Sequence, residues 1–299
     1  MSTQTQTVEQ VITAPIARQK TRIQWARLLL YVIAVVFVAY YLLPIFLLVL
    51  TGLKSYNEVN LYEMWNLPRT LSIQSFRDAW FGSPSVAGLG RNFANSLTMA
   101  IPATVISAIL GMMNGYVLSK WRFPGANIIF PLILFGMFIP YQSILIPLVT
   151  TLNAIHLYGS LAGLTFVHVV YGIPVCALIF RNYYATIPNE MIEAARIDGA
   201  NFFSIFTRIM IPLSAPGIVV VAIWQFTNIW NDFLFAITVT NNPANQPITV
   251  ALNNLAGSFT VEWNVQFAAA LIAAAPTILL YVLLGPFFVR GLMAGSLKG

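Results

Sequence analysis

The chain has 299 residues, of which 58% are hydrophobic and only 8% are charged. An average soluble domain has about 25% charged residues, so water is not the main solvent here. The 21 Phe, 12 Tyr and 7 Trp in long apolar runs place the chain in the membrane class. Its net charge of +6 forms no Lys/Arg stripe of the kind a nucleic-acid partner needs, and the single Cys176 excludes an intrachain disulfide or a cysteine metal site.

Residues 1–27 read as a polar tail carrying Arg18, Lys20, Arg22 and Arg27. The apolar run from Leu28 to Leu50 is 23 residues long and has no small-residue cut site after it. A cleavable signal has an apolar core of about 7–15 residues, so this run is expected to stay as an anchor. A helix needs about 20 apolar residues to span the bilayer with its backbone satisfied. Six stretches qualify: Leu28–Thr51, Phe93–Leu118, Ile128–Leu152, Ser160–Phe180, Ala215–Thr240 and Gln266–Arg290. The expected architecture is an all-α integral membrane protein with a tail (1–27), a first transmembrane helix (28–51), an extracytoplasmic loop (52–92), a five-helix core (93–290) and a C-terminal tail (291–299).

With the N-terminus inside, eleven of the fifteen Lys and Arg fall on inner segments, and the other four, Lys54, Arg69, Arg77 and Arg91, lie in or beside the outer loop 52–92. The positive-inside rule therefore puts both termini in the cytoplasm. Within that outer loop Trp65 and Trp80 suit the headgroup level, and the loop reads equally as an interface-lying segment or as a docking surface for an extracellular protein. The inner loop 181–214 is more informative. Asn189 is a plausible N-cap, Glu190 and Glu193 sit where a helix dipole favours acids, and Gly199 can end the helix in a left-handed conformation. Phe202–Phe206 begins a second amphipathic element, and Pro212 and Pro216 lead into the next span. A two-helix elbow on the cytoplasmic face results.

Glu193-Ala194-Ala195, Asp198-Gly199-Ala200, Ile209 and Pro212 resemble the EAA loop of binding-protein-dependent ABC permeases, with Ile211 where that family usually has Leu. Asn95-Ser96-Leu97, Gly115-Tyr116, Phe123, Gly125, Pro140, Pro147, Trp230-Asn231-Asp232-Phe233 and Arg290-Gly291 resemble the maltose-type carbohydrate branch. The resemblance implies a type I ABC importer permease fold in the inner membrane of a prokaryote. It also implies a homologous second permease, two cytoplasmic ATPase subunits that bind ATP and Mg, an extracytoplasmic sugar-binding protein, and no cofactor in this chain. Carried over, Glu193, Ala194, Ala195, Asp198 and Gly199 become the residues that couple to the ATPase. The resemblance further makes the tail with Gly295 and Lys298 a contact between ATPase subunits, with a free end as the other reading.

The chain has no G-x-x-x-x-G-K-[ST] phosphate loop, H-E-x-x-H, EF-hand loop or Cys/His cluster, so it is expected to be a transport subunit and not an enzyme. His156 and His168, with no acidic neighbour in sequence, read as structural residues. Gln225, Asn228 and Asp232 recur at helical spacing beside Trp224, which suits sugar hydroxyls and a pyranose face. Asp232 falls about 26 Å along a helix begun at Ala215, so capping, gating or hydrogen bonding between helices are further readings of these residues. Gly111-x-x-x-Gly115 permits close helix approach, and prolines 102, 131, 140, 147, 174 and 276 imply kinks. The segment Gly136–Gln142 inclines toward glucose or a glucoside. An ion-coupled secondary transporter is the rival reading, but apart from Asp232 and Glu262 the intramembrane charges it needs are missing.

Overall fold

The computed structural model describes residues 25–121, 123–257 and 261–296, with side chains described through Phe287 except at positions 26 and 61. Most of the N-terminal tail, Arg122 and Lys298 lie outside the described residues. The chain divides into two units, 1–47 and 48–299. The first contains helix α1 (Trp25–Gly52) up to Leu47, and every side chain from Leu28 to Phe46 is exposed. A helix apolar on all sides is suited to lipid.

The second unit carries α2 (Gln74–Phe81), α3 (Gly90–Lys120), α4 (Ala126–Phe138), α5 (Tyr141–Ala154), α6 (Leu161–Ala185), α7 (Asn189–Ile197), α8 (Phe202–Leu213), α9 (Ala215–Trp230), α10 (Leu234–Val239), α11 (Ile248–Ala256) and α12 (Trp263–Ser296). The described residues contain helices and loops only. Four helices, α1, α3, α6 and α12, are long and apolar enough to cross a membrane, and the number is six if each of two bent pairs counts as one span.

The bends have identifiable causes. Between α4 and α5 the axis turns by 100°. Pro140 supplies no N–H, and Ile139 before it takes the extended conformation that a following proline enforces. Between α8 and α9 the turn is 76°, at Ser214 between Pro212 and Pro216. A π-helical turn over Phe206–Met210 precedes it. The expected third span, Ile128–Leu152, is thus broken and not straight. The expected fifth span ends at Trp230 instead of Thr240, because Asn231 and Asp232 turn their side chains back onto nearby backbone. α6 runs past Phe180 to Ala185, and α12 runs through Arg290 to Ser296, so Gly295 sits in a helical turn and not in an extended tail.

The centre of this unit is the α3–α6 pair, brought together where side chains are missing. A Cβ placed on Gly111 would lie 2.2 Å from the Cβ of Cys176, and one on Gly115 would lie 2.8 Å from the Cβ of Phe180. Cys176 is fully buried, as packed core. Around the end of the pair at Tyr116 and Tyr184, these two residues with Phe180, Ile205 and Met210 form one core, which also buries Ile192 of α7. Around the other end Met99, Leu164, Ile229, Trp230, Phe235 and Ile248 form another.

The outer loop is folded onto the bundle. Lys54 is buried, and its Nζ donates to the carbonyls of Glu63 and Met64 at 2.9 and 3.1 Å. Asn264 of α12 donates to Ser75 of α2 at 3.0 Å. Trp65 is exposed, but Trp80 is half-buried, stacked edge-on against Phe93, which stacks edge-on against Trp230. Trp80 therefore pins α2 to α3 rather than lying free at a headgroup level.

A methyl group has no room at Gly111 but has open space at Gly285. Gly111→Val is expected to destabilise the chain by about 2–3 kcal/mol through overpacking, seen as a lower thermal midpoint in detergent. Gly285→Ala should be neutral or stabilising by up to about 1 kcal/mol.

Candidate functional site

Two regions carry the residues singled out by the sequence. The first is the elbow of α7 and α8. Pro188, not Asn189, occupies the N-cap position, and the Asn189 side chain instead accepts a hydrogen bond from Lys120 Nζ at 2.9 Å. α7 is amphipathic: Ile192 is buried and Ala195 half-buried, while Glu190, Met191, Glu193, Ala194, Ile197 and Asp198 face outward. Ile197 is 86% exposed.

The helix stops as its residue types require. Gly199 has φ +81°, and Ala200 N–H closes back onto the Ala195 carbonyl at 2.9 Å, the six-to-one bond of a left-handed helix end. The elbow is tied to the end of α6 by two tyrosines. Tyr183 Oη donates to the Leu213 carbonyl at 2.7 Å, and Ser214 Oγ bonds the hydroxyl of the buried Tyr184 at 2.8 Å. Glu193, Ala194, Asp198 and Gly199 therefore lie together on an exposed, stiffly mounted ledge, with Ala195 turned partly inward.

The second region is a cavity of about 530 Å³ between α4, α6, α9 and the start of α10. Trp224, Gln225, Asn228 and Asp232 all line it, joined by Tyr141, His168 and Tyr171. They do not share one helix face: α9 ends before Asp232, whose carboxylate accepts from the N–H groups of Phe235 and Ala236 at 3.4 and 3.0 Å and so caps α10. His168 Nε2 lies 3.6 Å from Asp232 Oδ2. His168 thus has the acidic neighbour that its sequence surroundings lack. Gln225 is buried, reaches the His168 carbonyl at 3.4 Å, and fits because Gly172 leaves the space: a Cβ there would lie 1.9 Å from Gln225 Nε2.

Trp224 is half-exposed and Asn228 exposed, its amide donating to the Trp224 carbonyl at 2.8 Å. The rings of Tyr141, Tyr171 and Phe235 meet at 5.0–5.5 Å and form an aromatic wall opposite α9. Tyr141 joins this wall from the first position of α5, directly after the bend at Pro140. Aromatic faces with hydroxyl, amide and carboxylate groups among them suit a solute that has both apolar ring faces and hydroxyls. Among the described residues no cluster of three His, Cys, Asp or Glu side chains could hold a metal ion.

Removing the Asp232 carboxylate leaves two N–H groups at the start of α10 without an acceptor. Asp232→Ala is expected to cost about 1–2 kcal/mol, with Asp232→Asn losing less, both read as shifts of the thermal midpoint.

Residues 103–293 match the family described as binding-protein-dependent transport system inner membrane component. The chain is 42% identical to a probable ABC transporter permease protein of Pyrococcus horikoshii, over 93% of this chain and 99% of that one. It is 34% identical to a xylose/arabinose import permease protein of Haloferax volcanii, over 88% of this chain and 90% of that one. Among solved structures, a chain of a bacterial ABC transporter involved in the import of the acidic polysaccharide alginate superposes with a TM-score of 0.73 at 20% identity, covering 92% of this chain and all of that one. That likeness establishes the fold. By family match and by identity along nearly its whole length, the chain belongs to the binding-protein-dependent transport system inner membrane components.

Proposed function

We propose that this chain is one permease subunit of an ATP-driven sugar importer. It lies in the inner membrane with both termini cytoplasmic, pairs with a homologous permease, and receives its solute from an extracytoplasmic binding protein. Two separate cytoplasmic ATPase subunits bind ATP and Mg, and one of them seats on α7. The observation that carries the reading is the exposed ledge of α7: Glu193, Ala194, Ile197 and Asp198 outward, Ile192 inward, and a left-handed Gly199 closing the helix.

The mechanism is alternating access. Loaded binding protein and ATP favour an outward-open pore, and hydrolysis returns it inward, each partner acting through its different affinity for the two states. Small Ala194 lets a partner backbone approach, and Glu193 offers a charge to a basic groove. Solute passes the cavity of Trp224, Gln225, Asn228 and Asp232, where the indole covers a sugar ring face and the amide and carboxylate take hydroxyls. The relative named as a xylose/arabinose import permease supports a mono- or oligosaccharide, with glucose or a glucoside as the specific proposal.

Purification of the tagged chain from mild detergent should recover a second permease and a P-loop ATPase. Gly199→Asp forces a side chain into positive φ and puts a charge on the ledge. It should lower ATPase recovery about tenfold or more, equivalent to at least about 1.4 kcal/mol, and abolish uptake at unchanged membrane level. Recovery of the chain alone, transporting in vesicles without ATP, would overturn the reading.

A further inference from the structure

α7 has nine residues, too few for a helix to be stable by itself. Its buried Ile192 and half-buried Ala195 give it only a narrow apolar footing, about which the helix could turn. Two consecutive residues at the end of α3 hold its two ends. Lys120 Nζ donates to the Ile187 carbonyl and to Asn189 Oδ1, in the strand of chain that starts α7. Trp121, the C-cap of α3, lies under the guanidinium of Arg196 in the last turn of α7, with Arg196 Cζ 4.2 Å from the ring centroid. The indole is itself fixed, edge-on to Tyr116 at 6.2 Å and against Phe202 of α8 at 5.3 Å.

We infer that Lys120 and Trp121 are positioning residues that clamp both ends of the coupling helix to α3, so that α3, and not only the covalently attached α6 and α8, follows when α7 is pushed. A clamp at two ends resists rotation about this footing, which the footing alone does not. The contacts border a cavity of about 340 Å³ lined by Lys120, Trp121, Asn189, Ile192, Glu193 and Arg196. Shortening the clamp residues therefore enlarges an open space and creates no clash. The role of α7 as the coupling helix rests on the function proposed above; the clamp itself rests on the contacts.

Hydrogen–deuterium exchange on the full chain in nanodiscs separates the two. The double variant Lys120→Ala, Trp121→Ala should exchange the amides of 189–197 about fivefold or more faster, as expected for losing a cation–π contact and a charged hydrogen bond, with α3 and α6 unchanged. Lys120→Arg with Trp121→Phe should restore wild-type exchange, and co-purified ATPase should fall with the alanine pair and return with the conservative pair. Unchanged exchange in 189–197, equal loosening of α3, or no rescue by the conservative pair would overturn the clamp. If the double variant does not reach the membrane, Arg196→Ala, at an exposed position, decides by the same exchange readout, faster exchange supporting the clamp and unchanged exchange overturning it. Local loosening without any ATPase in the wild-type pull-down would leave the clamp standing and sink the coupling role.

Discussion

Everything in the second unit depends on how close α3 and α6 approach. Gly111 faces Cys176 and Gly115 faces Phe180 at separations that leave no room for a methyl group. Lipid is as apolar as a leucine side chain, so burial alone does not drive helices together in a membrane, and close van der Waals contact between small residues takes that part. Gly172, one turn before Cys176 on the same side of α6, also meets Ser107 of α3 and admits Gln225 from α9. The two regions of interest both rest on this pair. α6 carries His168 and Tyr171 in the cavity near its middle and Tyr183 and Tyr184 under the elbow at its end, the 16 residues from His168 to Tyr184 spanning about 24 Å of helix. α3 contributes Lys120 and Trp121 beside the elbow. The same pair of helices therefore bears both regions, with Pro174 of α6 between them.

Much of this was legible in the sequence. Long apolar runs placed the spans, the small-x-x-x-small spacing in α3 marked the close contact, and the Asn-Glu-x-x-Glu-Ala-Ala…Gly run gave α7, its amphipathic face and its left-handed end. What stayed hidden depends on contacts between residues far apart in the chain. His168 and Asp232 are 64 residues apart, and nothing near His168 signals a carboxylate. Asn189 looks like an N-cap by residue type, yet the lysine that ends α3 takes its side chain. Proline at 140 announces a kink but not its size. α10 and α11 were missed because their apolar residues serve a core formed jointly with α3 and α6, which no local period reveals.

Many polar side chains inside this unit bond to backbone groups that lack a partner or can share one. Ser107 Oγ bonds the Ala103 carbonyl of its own helix at 2.7 Å. Asp232 serves the first N–H groups of α10, and Thr249 returns to the Asp232 carbonyl at 2.7 Å. Breaks in the helices are thus where polar side chains collect, since broken helix ends have free donors and acceptors and straight helices do not. The cavity is polar because α4–α5 and α9–α10 both break beside it.

The break at Pro140 also draws a line around the molecule. Ile139 is extended and Pro140 has no N–H, so the chain beyond the 3-10 turn of Gly136–Phe138 withholds from the last turn of α4 the donors that a continued helix would supply. Hydrocarbon cannot hydrate such carbonyls, and an unmet one costs several kcal/mol. A corner of this kind favours water or another protein surface over acyl chains. The flank of the subunit that carries Pro140 is thus the one least suited to an annulus of lipid.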